Sequence, residues 1–255
     1  MVSGYALKEV KSLNRDNRIK VRIKFSKHGP VTFVGHLDFM RFFQKAIRRA
    51  KIDIAYSEGF SPHQIMSFAT ALGVGVETDG DYLDIEVMST PDCVRMKDEL
   101  NAVVVDGVKI ENVTVLPDGT PNAMSSVAAA GYKLYRRDGL DFNDEVIEAA
   151  DRVLNSDTLI IRKENKKAKK KGRAIEGVND VITMDIKAHV YEAELTGKAF
   201  TCLVDASSAG NVRPMTILEL IYAEAGLELD PLDIQIVRCD LYREENGRLV
   251  TLDHV

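Results

Sequence analysis

Residues 19–25 alternate Ile19, Val21, Ile23 and Phe25 with Lys20, Arg22 and Lys24, a period of two that an extended strand satisfies and a helix does not. Such a strand has one apolar face for a core and one cationic face, which is expected to look at water or at a ligand. After a His-Gly-Pro turn the period changes. Leu37, Met40, Phe43, Ile47 and Ala50 recur at helical spacing, and Arg41, Lys45 and Arg48 fall on another face of the same helix. Residues 52–56 then read as a short strand, 82–87 as a strand alternating apolar and acidic residues, 92–103 as a helix and 108–115 as a closing strand. The order is β-α-β-β-α-β, the ferredoxin-like order.

The same order recurs downstream. Residues 132–136 read as a strand, 143–154 as a helix and 159–161 as a strand. Residues 189–195 and 199–204 read as a hairpin over Thr196 and Gly197, 215–225 as a helix introduced by Pro214, and 234–242 as a strand. The expected fold class is therefore α+β, with two tandem ferredoxin-like halves built on antiparallel sheets. Residues 116–126, with Pro117, Gly119, Pro121 and two serines, are the expected linker, which sets the domains at 18–115 and 127–250. Leu72 to Asp81 has glycines in neither the order nor the context of a dinucleotide loop, and reads as a turn-rich entry to the strand at Tyr82.

Charge is unevenly spread. Residues 18–63 carry ten cations against Asp38, Asp53 and Glu58, or +7; the chain is −5, so the remainder is −12. A local field of this kind gathers polyanions, acidic partners or phosphorylated ligands. A second basic tract, residues 162–173, holds eight cations and one acid. So dense a run cannot form a packed face, and reads as a mobile loop in the second half that neutralises phosphates without reading sequence, or that is simply solvated. After Ile217 the chain is acidic, so pairing of acidic and basic surfaces within the protein competes with nucleic acid.

The chain has 255 residues, 45% of them apolar, enough to bury a core in each of two domains. No apolar run follows Met1 and no run approaches the ~18 residues of a membrane span, which makes the cytoplasm the expected compartment. Cys93, Cys202 and Cys239 are far apart, odd in number and in no CxxC spacing. They read as buried thiols, with no metal site and no cofactor expected.

Two histidines are the only acid/base candidates. His36 and Asp38 open the basic helix, where an acid meets the helix dipole and a histidine caps or packs; the functional alternative groups His36 with His63 and Tyr56 about one pocket. The loop SEGFSPH, with Ser57, Gly59, Phe60 and His63, lies beside the cationic helix; Phe60 is expected to be tucked in, though such a loop can also stack a base. Phosphate contacts are assigned to Lys24, Lys27, Arg41, Lys45, Arg48 and Arg49, to Lys166, Lys167, Lys169, Lys170 and Lys171 of the second tract, and to Arg213, which with Asn211 precedes a helix start.

The strings KFSKHGPVTFVGHLDFMRFFQKAIRRA and AYSEGFSPHQIMSFATALGVGVETDGDYLDIEV, with NVRPMTILEL and DPLDIQIVRCDLY further on, resemble the bacterial radical-SAM-linked family of unknown function. The resemblance implies a module working near radical SAM chemistry, on RNA, beside a separate radical SAM protein that can be B12-binding. It implies no activity of its own. The chain has no CxxxCxxC, so an iron-sulfur cluster would sit on another polypeptide. The expected function is a non-catalytic binding or substrate-presenting module for RNA. An RNA-modifying or RNA-cleaving enzyme using His36 and His63, and a protein-protein adaptor, are the alternatives.

Overall fold

The structure, a computed structural model, describes residues 18–89, 91–164, 181–208 and 210–254. The first elements are β1 (Ile19–Lys27), α1 (His36–Arg49), β2 (Met66–Phe68), β3 (Glu77–Val87), α2 (Cys93–Asn101), β4 (Val108–Val115) and the short α3 (Ala123–Ser126). There follow β5 (Ala129–Arg136), α4 (Asp144–Leu154), β6 (Ile160–Glu164), β7 (Val181–Asp185), β8 (Val190–Leu195), β9 (Phe200–Asp205) and α5 (Pro214–Glu224), then β10 (Ile234–Glu245) and β11 (Arg248–Thr251). The described residues divide into two compact units: those from 18 to 128 with those from 237 to 254, and those between 129 and 236. The first unit is thus closed by the C-terminal stretch.

In the first unit β1 pairs antiparallel with β3 and with β4, and β2 pairs antiparallel with β3. The strand order is 4-1-3-2, as the β-α-β-β-α-β reading requires. Strand β3 is long enough to hold two neighbours: β2 at its end, and Val237 and Arg238 of β10 in parallel at its start. Residues 52–56 do not form the expected strand. A bond from Ile54 N–H to Ile52 O pinches the chain into a turn, leaving isolated bridges at Ile54 and Tyr56, and the edge position goes to β2. Nor are residues 77–81 a loop. They belong to β3, with Gly80 in the strand because a Cβ there would lie 2.9 Å from the Cys239 carbonyl and from Lys24 Cε.

The core of this unit lies between the sheet and the two helices. Val21, Ile23 and Phe25 of β1 meet Phe39, Phe43 and Ile47 of α1 and Met96 and Leu100 of α2, all buried. Phe25, Phe39, Phe43 and Phe68 pack as one aromatic cluster, with Phe25 and Phe43 at 5.1 Å between centroids. The apolar side of β1 is the one its period predicts. On α1 Phe43, Ile47 and Ala50 are buried as read, but Met40 is half-buried, Leu37 is exposed, and Phe39 is buried though not read as part of that face.

In the second unit β9 pairs antiparallel with β5 and with β8, and the β8–β9 hairpin turns where Thr196 and Gly197 predict it. The start of β10 lies beside the end of β5, through Arg137 N–H to Asp233 O at 2.8 Å and Arg137 Nε to Ile234 O at 3.2 Å. Helices α4 and α5 bury Val146, Ala149, Ile217 and Ile221 with Leu134 and Phe200 of the sheet. A separate antiparallel pair joins β6 with β7, and β6 takes in residues 162–164 of the second basic tract, which are strand and not the loop expected of them. Residues 165–173 of that tract, with Lys166, Lys167, Lys169, Lys170 and Lys171, lie outside the described residues.

Candidate nucleic-acid interface

The cationic face of β1 does not look at water. Register places Arg22 opposite Asp84 and Lys24 opposite Tyr82. Arg22, 1% exposed, makes a two-pronged pair with Asp84 through Nε and Nη2 at 2.8 and 2.9 Å, while Nη1 donates to Leu252 O and Nη2 also to Pro121 O. Asp84 also takes the N–H of Ala123, the first residue of α3. Lys24 bonds Asp240 at 2.6 Å and faces Asp253 at 3.6 Å; Tyr82 donates its hydroxyl to both acids, at 2.5 and 3.1 Å. Burial and those two carboxylates push the Tyr82 hydroxyl far above its ordinary range. Lys27 falls past a bulge in β1, is 2% exposed, donates to Val34 O and sits 4.4 Å over the Phe39 ring. Its ammonium is held below the ordinary lysine range by burial, which the charge of Asp81 only partly offsets. Lys24 and Lys27 are therefore spent inside the protein, a correction to their assignment as phosphate contacts. The acidic alternation of β3 was the signal that foretold it.

Helix α1 is different. Arg41, Lys45, Arg48 and Arg49 are all exposed, while Phe39, Phe43, Ala46 and Ile47 are buried. Arg48 and Arg49 stand in the last turn, where the helix dipole favours cations on its own account. Arg41 and Lys45 are mid-helix, and the dipole does not explain them. Arg41 pairs with Asp38 at 2.9 Å, both side chains 70% exposed, a contact worth about 0–1 kcal/mol and readily exchanged. Arg49 donates to Val103 O. His36 does not cap: Gly35 is the N-cap, and the His36 ring packs edge-on against Phe68 at 5.3 Å.

The loop after α1 is clamped at its base. Tyr56 and Gln64 form a bridge, Ser57 N–H donates to His63 O at 2.8 Å, and Ser57 Oγ accepts from His63 N–H at 3.0 Å and lies 2.8 Å from His63 Nδ1. His63 thus closes the loop with Ser57, while His36 is engaged with Phe68. Buried Gln64 reaches Gln44 O of α1, so the clamp stands beside the cationic helix. At the tip Gly59 has φ +111°, and Phe60 is fully exposed, not tucked. Glu58, the loop's acid, faces Arg18 at 4.0 Å.

Arg213 is exposed in the second unit as the N-cap residue of α5, its side chain making no cap bond. That unit also holds a polar centre that sequence reading missed. Asp205, nearly buried, lies 2.9 Å from His189 Nδ1 and accepts from Ser207 N–H at 2.8 Å. Burial works to raise its carboxyl, but the Ser207 and His189 bonds outweigh it and hold it below the ordinary range. A Cβ on Gly210 would overlap that carboxylate and stand 2.6 Å from His189 Nδ1, which explains the glycine. The residues are 16 apart in sequence, in no motif.

Among the described residues no group of three or more His, Cys, Asp or Glu is placed to hold a metal ion. Of the thiols Cys202 is buried, whereas Cys93 and Cys239 are half-buried, contrary to expectation. No helix among the described residues is long and apolar enough to cross a membrane. No curated protein matches the chain. A solved structure titled "Crystal Structure of an Unknown Protein from Galdieria sulphuraria" is similar at 10% identity and TM-score 0.24, over 89% of this chain and 99% of that one, too slight a likeness to argue from. A family model described as "Uncharacterized protein conserved in bacteria (DUF2344)" matches residues 20–214, and the chain belongs to that family.

Proposed function

We propose that this protein is a non-catalytic RNA-binding module that presents its RNA to a separate radical SAM protein, with the exposed cationic stripe of α1 as its phosphate-binding surface. The observation that carries the reading is a division of labour among the cations of the first unit. Arg22, Lys24 and Lys27 are consumed by internal acids, carbonyls and a ring, whereas Arg41, Lys45, Arg48 and Arg49 stand in water on one helix that holds one acid, Asp38. A +3 helix face next to a loop with an exposed aromatic suits a polyanion bearing flat bases. The radical SAM partner rests on the resemblance of the GHLDFMR and GFSPH strings. The engagement of His36 by Phe68 and of His63 by Ser57 favours the module over an enzyme built on those two histidines.

The test is a filter-binding assay with the full chain and with an Arg41→Glu, Lys45→Glu, Arg48→Glu variant. The variant is expected to lose RNA binding by at least about a hundredfold while keeping a native circular dichroism spectrum, and RNA recovered from the wild-type protein is expected to keep its intact mass. Unchanged affinity in a folded variant, or RNA cleaved or altered by the wild type, contradicts the reading.

A further inference from the structure

The basic stripe explains attraction to phosphate but not the loop beside it. An exposed phenyl ring leaves roughly 150–250 Å² of surface in water, and a ring so exposed adds nothing to the core. Yet residues 57–63 are built to hold it there. The base is closed by the Tyr56–Gln64 bridge and by three contacts between Ser57 and His63, Gly59 supplies the positive φ of the bend, and Pro62 stiffens the return. The side chain of Gln64 fastens this clamp to Gln44, one residue from Lys45 and midway between Arg41 and Arg48. The acid of the loop, Glu58, lies 4.0 Å from Arg18, whose charge partly offsets its own. The product is a pre-ordered aromatic tip standing beside a cationic stripe.

We infer that Phe60 is a stacking platform for an unpaired nucleobase, so that the site takes single-stranded RNA, or the unpaired loop of a folded RNA, in preference to duplex. The inference rests on the reading of α1 as a phosphate-binding surface and names what that surface binds. Bases inside an A-form duplex have both faces covered, and its deep, narrow major groove admits no helix, so a duplex can meet α1 through its phosphates and the 2′-hydroxyls of its shallow minor groove but offers Phe60 no free base face. An unpaired base has a free face. Stacking on Phe60 while the flanking phosphates meet Arg41 and Lys45 engages both features at once. Tyr56, 46% exposed at the clamp, is a second ring on the same loop.

The chain contains no tryptophan, so Phe60→Trp introduces a lone indole reporter at the tip. Full-length wild type, Phe60→Ala and Phe60→Trp are each titrated with a labelled 12-nucleotide single strand and with a blunt duplex of the same length, at one salt concentration. Wild type is expected to favour the single strand by about tenfold; Phe60→Ala loses that factor with duplex affinity and melting temperature unchanged, and Phe60→Trp keeps it, its emission quenched as single strand saturates. If Phe60→Ala retains the preference, or the indole emission does not move at saturating RNA, the tip serves another occupant such as a protein surface; the inference falls while the cationic-stripe reading stands. If wild type binds neither RNA, the reading of α1 falls, and the inference with it.

Discussion

Arg22 shows how a sequence pattern can state a residue's chemistry and hide its address. Its place in a strictly alternating cationic row implies a face turned to water or to a ligand, but the row on β3 that answers it carries Asp84 and Glu86, and pairing the two strands takes Arg22 and Asp84 out of water. A fully buried pair satisfied by carbonyls and an N–H is fragile to half-removal. Asp84→Ala leaves a buried guanidinium unpaired and is expected to cost about 3–5 kcal/mol in denaturant unfolding, whereas the joint change Arg22→Met, Asp84→Leu recovers part of that, the remainder being the lost partners of Leu252 O, Pro121 O and Ala123 N–H. A double variant no more stable than Asp84→Ala would show that the pair's geometry, not its charge, supports the unit. The neighbouring cluster is read out by pH. Burial pulls the Lys24 ammonium down, but Asp240 and Asp253 outweigh it and hold it above its ordinary range; burial likewise raises Asp253, but Thr251, Lys24 and Tyr82 hold it below. A depressed carboxyl contributes stability above the ordinary carboxylate range that is lost as pH falls through its folded value; a raised ammonium contributes below the ordinary lysine range and loses it as pH rises through its folded value. Asp253→Asn is therefore expected to cost about 1–3 kcal/mol at neutral pH and to converge on wild type in acid. A deficit that persists unchanged at low pH would assign the loss to packing.

At the scale of elements, helix α1 was legible in its helical period, with Phe43, Ile47 and Ala50 inward and Arg41, Lys45 and Arg48 outward as read, but the inward face is turned toward Phe39 and leaves Leu37 in solvent. Each face predicts its own phenotype. Phe43→Ala opens a hole in the cluster with Phe25, Phe39 and Phe68 and should cost about 3–5 kcal/mol, whereas reversal of the three outward charges should leave the melting temperature within a few degrees. Equal destabilisation by both would mean that the outward face is packed. The short apolar run at 52–56 carries no information on whether its backbone finds a partner, and Ile54 bonds back to Ile52 instead of forming a strand. Gly80 sits in a strand where its glycine-rich surroundings suggest a turn, since nothing local announces that the Cys239 carbonyl approaches it from 159 positions away. Phe60 was expected inside because aromatics usually are; Ser57 and His63 hold it outside through contacts that need the folded loop. The His189–Asp205 centre was invisible for the same reason, its partners being joined only when β9 and the turn before β8 come together.

Across the whole molecule, the uneven charge of the sequence resolves into two populations. Acids of the C-terminal stretch, Asp240 and Asp253, neutralise Lys24 of β1, so part of the +7 read over residues 18–63 is internal, while Arg41, Lys45, Arg48 and Arg49 of α1 keep their field in solvent. The central claim, that this remaining field binds RNA phosphate, has an ionic-strength signature. Each phosphate neutralised on a single strand contributes about −0.7 to the slope of log affinity against log salt. The most direct test measures that slope for wild type and for the Arg41→Glu, Lys45→Glu, Arg48→Glu variant with the same RNA. The account predicts that the variant's slope, wherever binding stays measurable, is shallower by about 2 or more. Equal slopes in two folded proteins, or a wild type whose RNA affinity ignores salt, would contradict it.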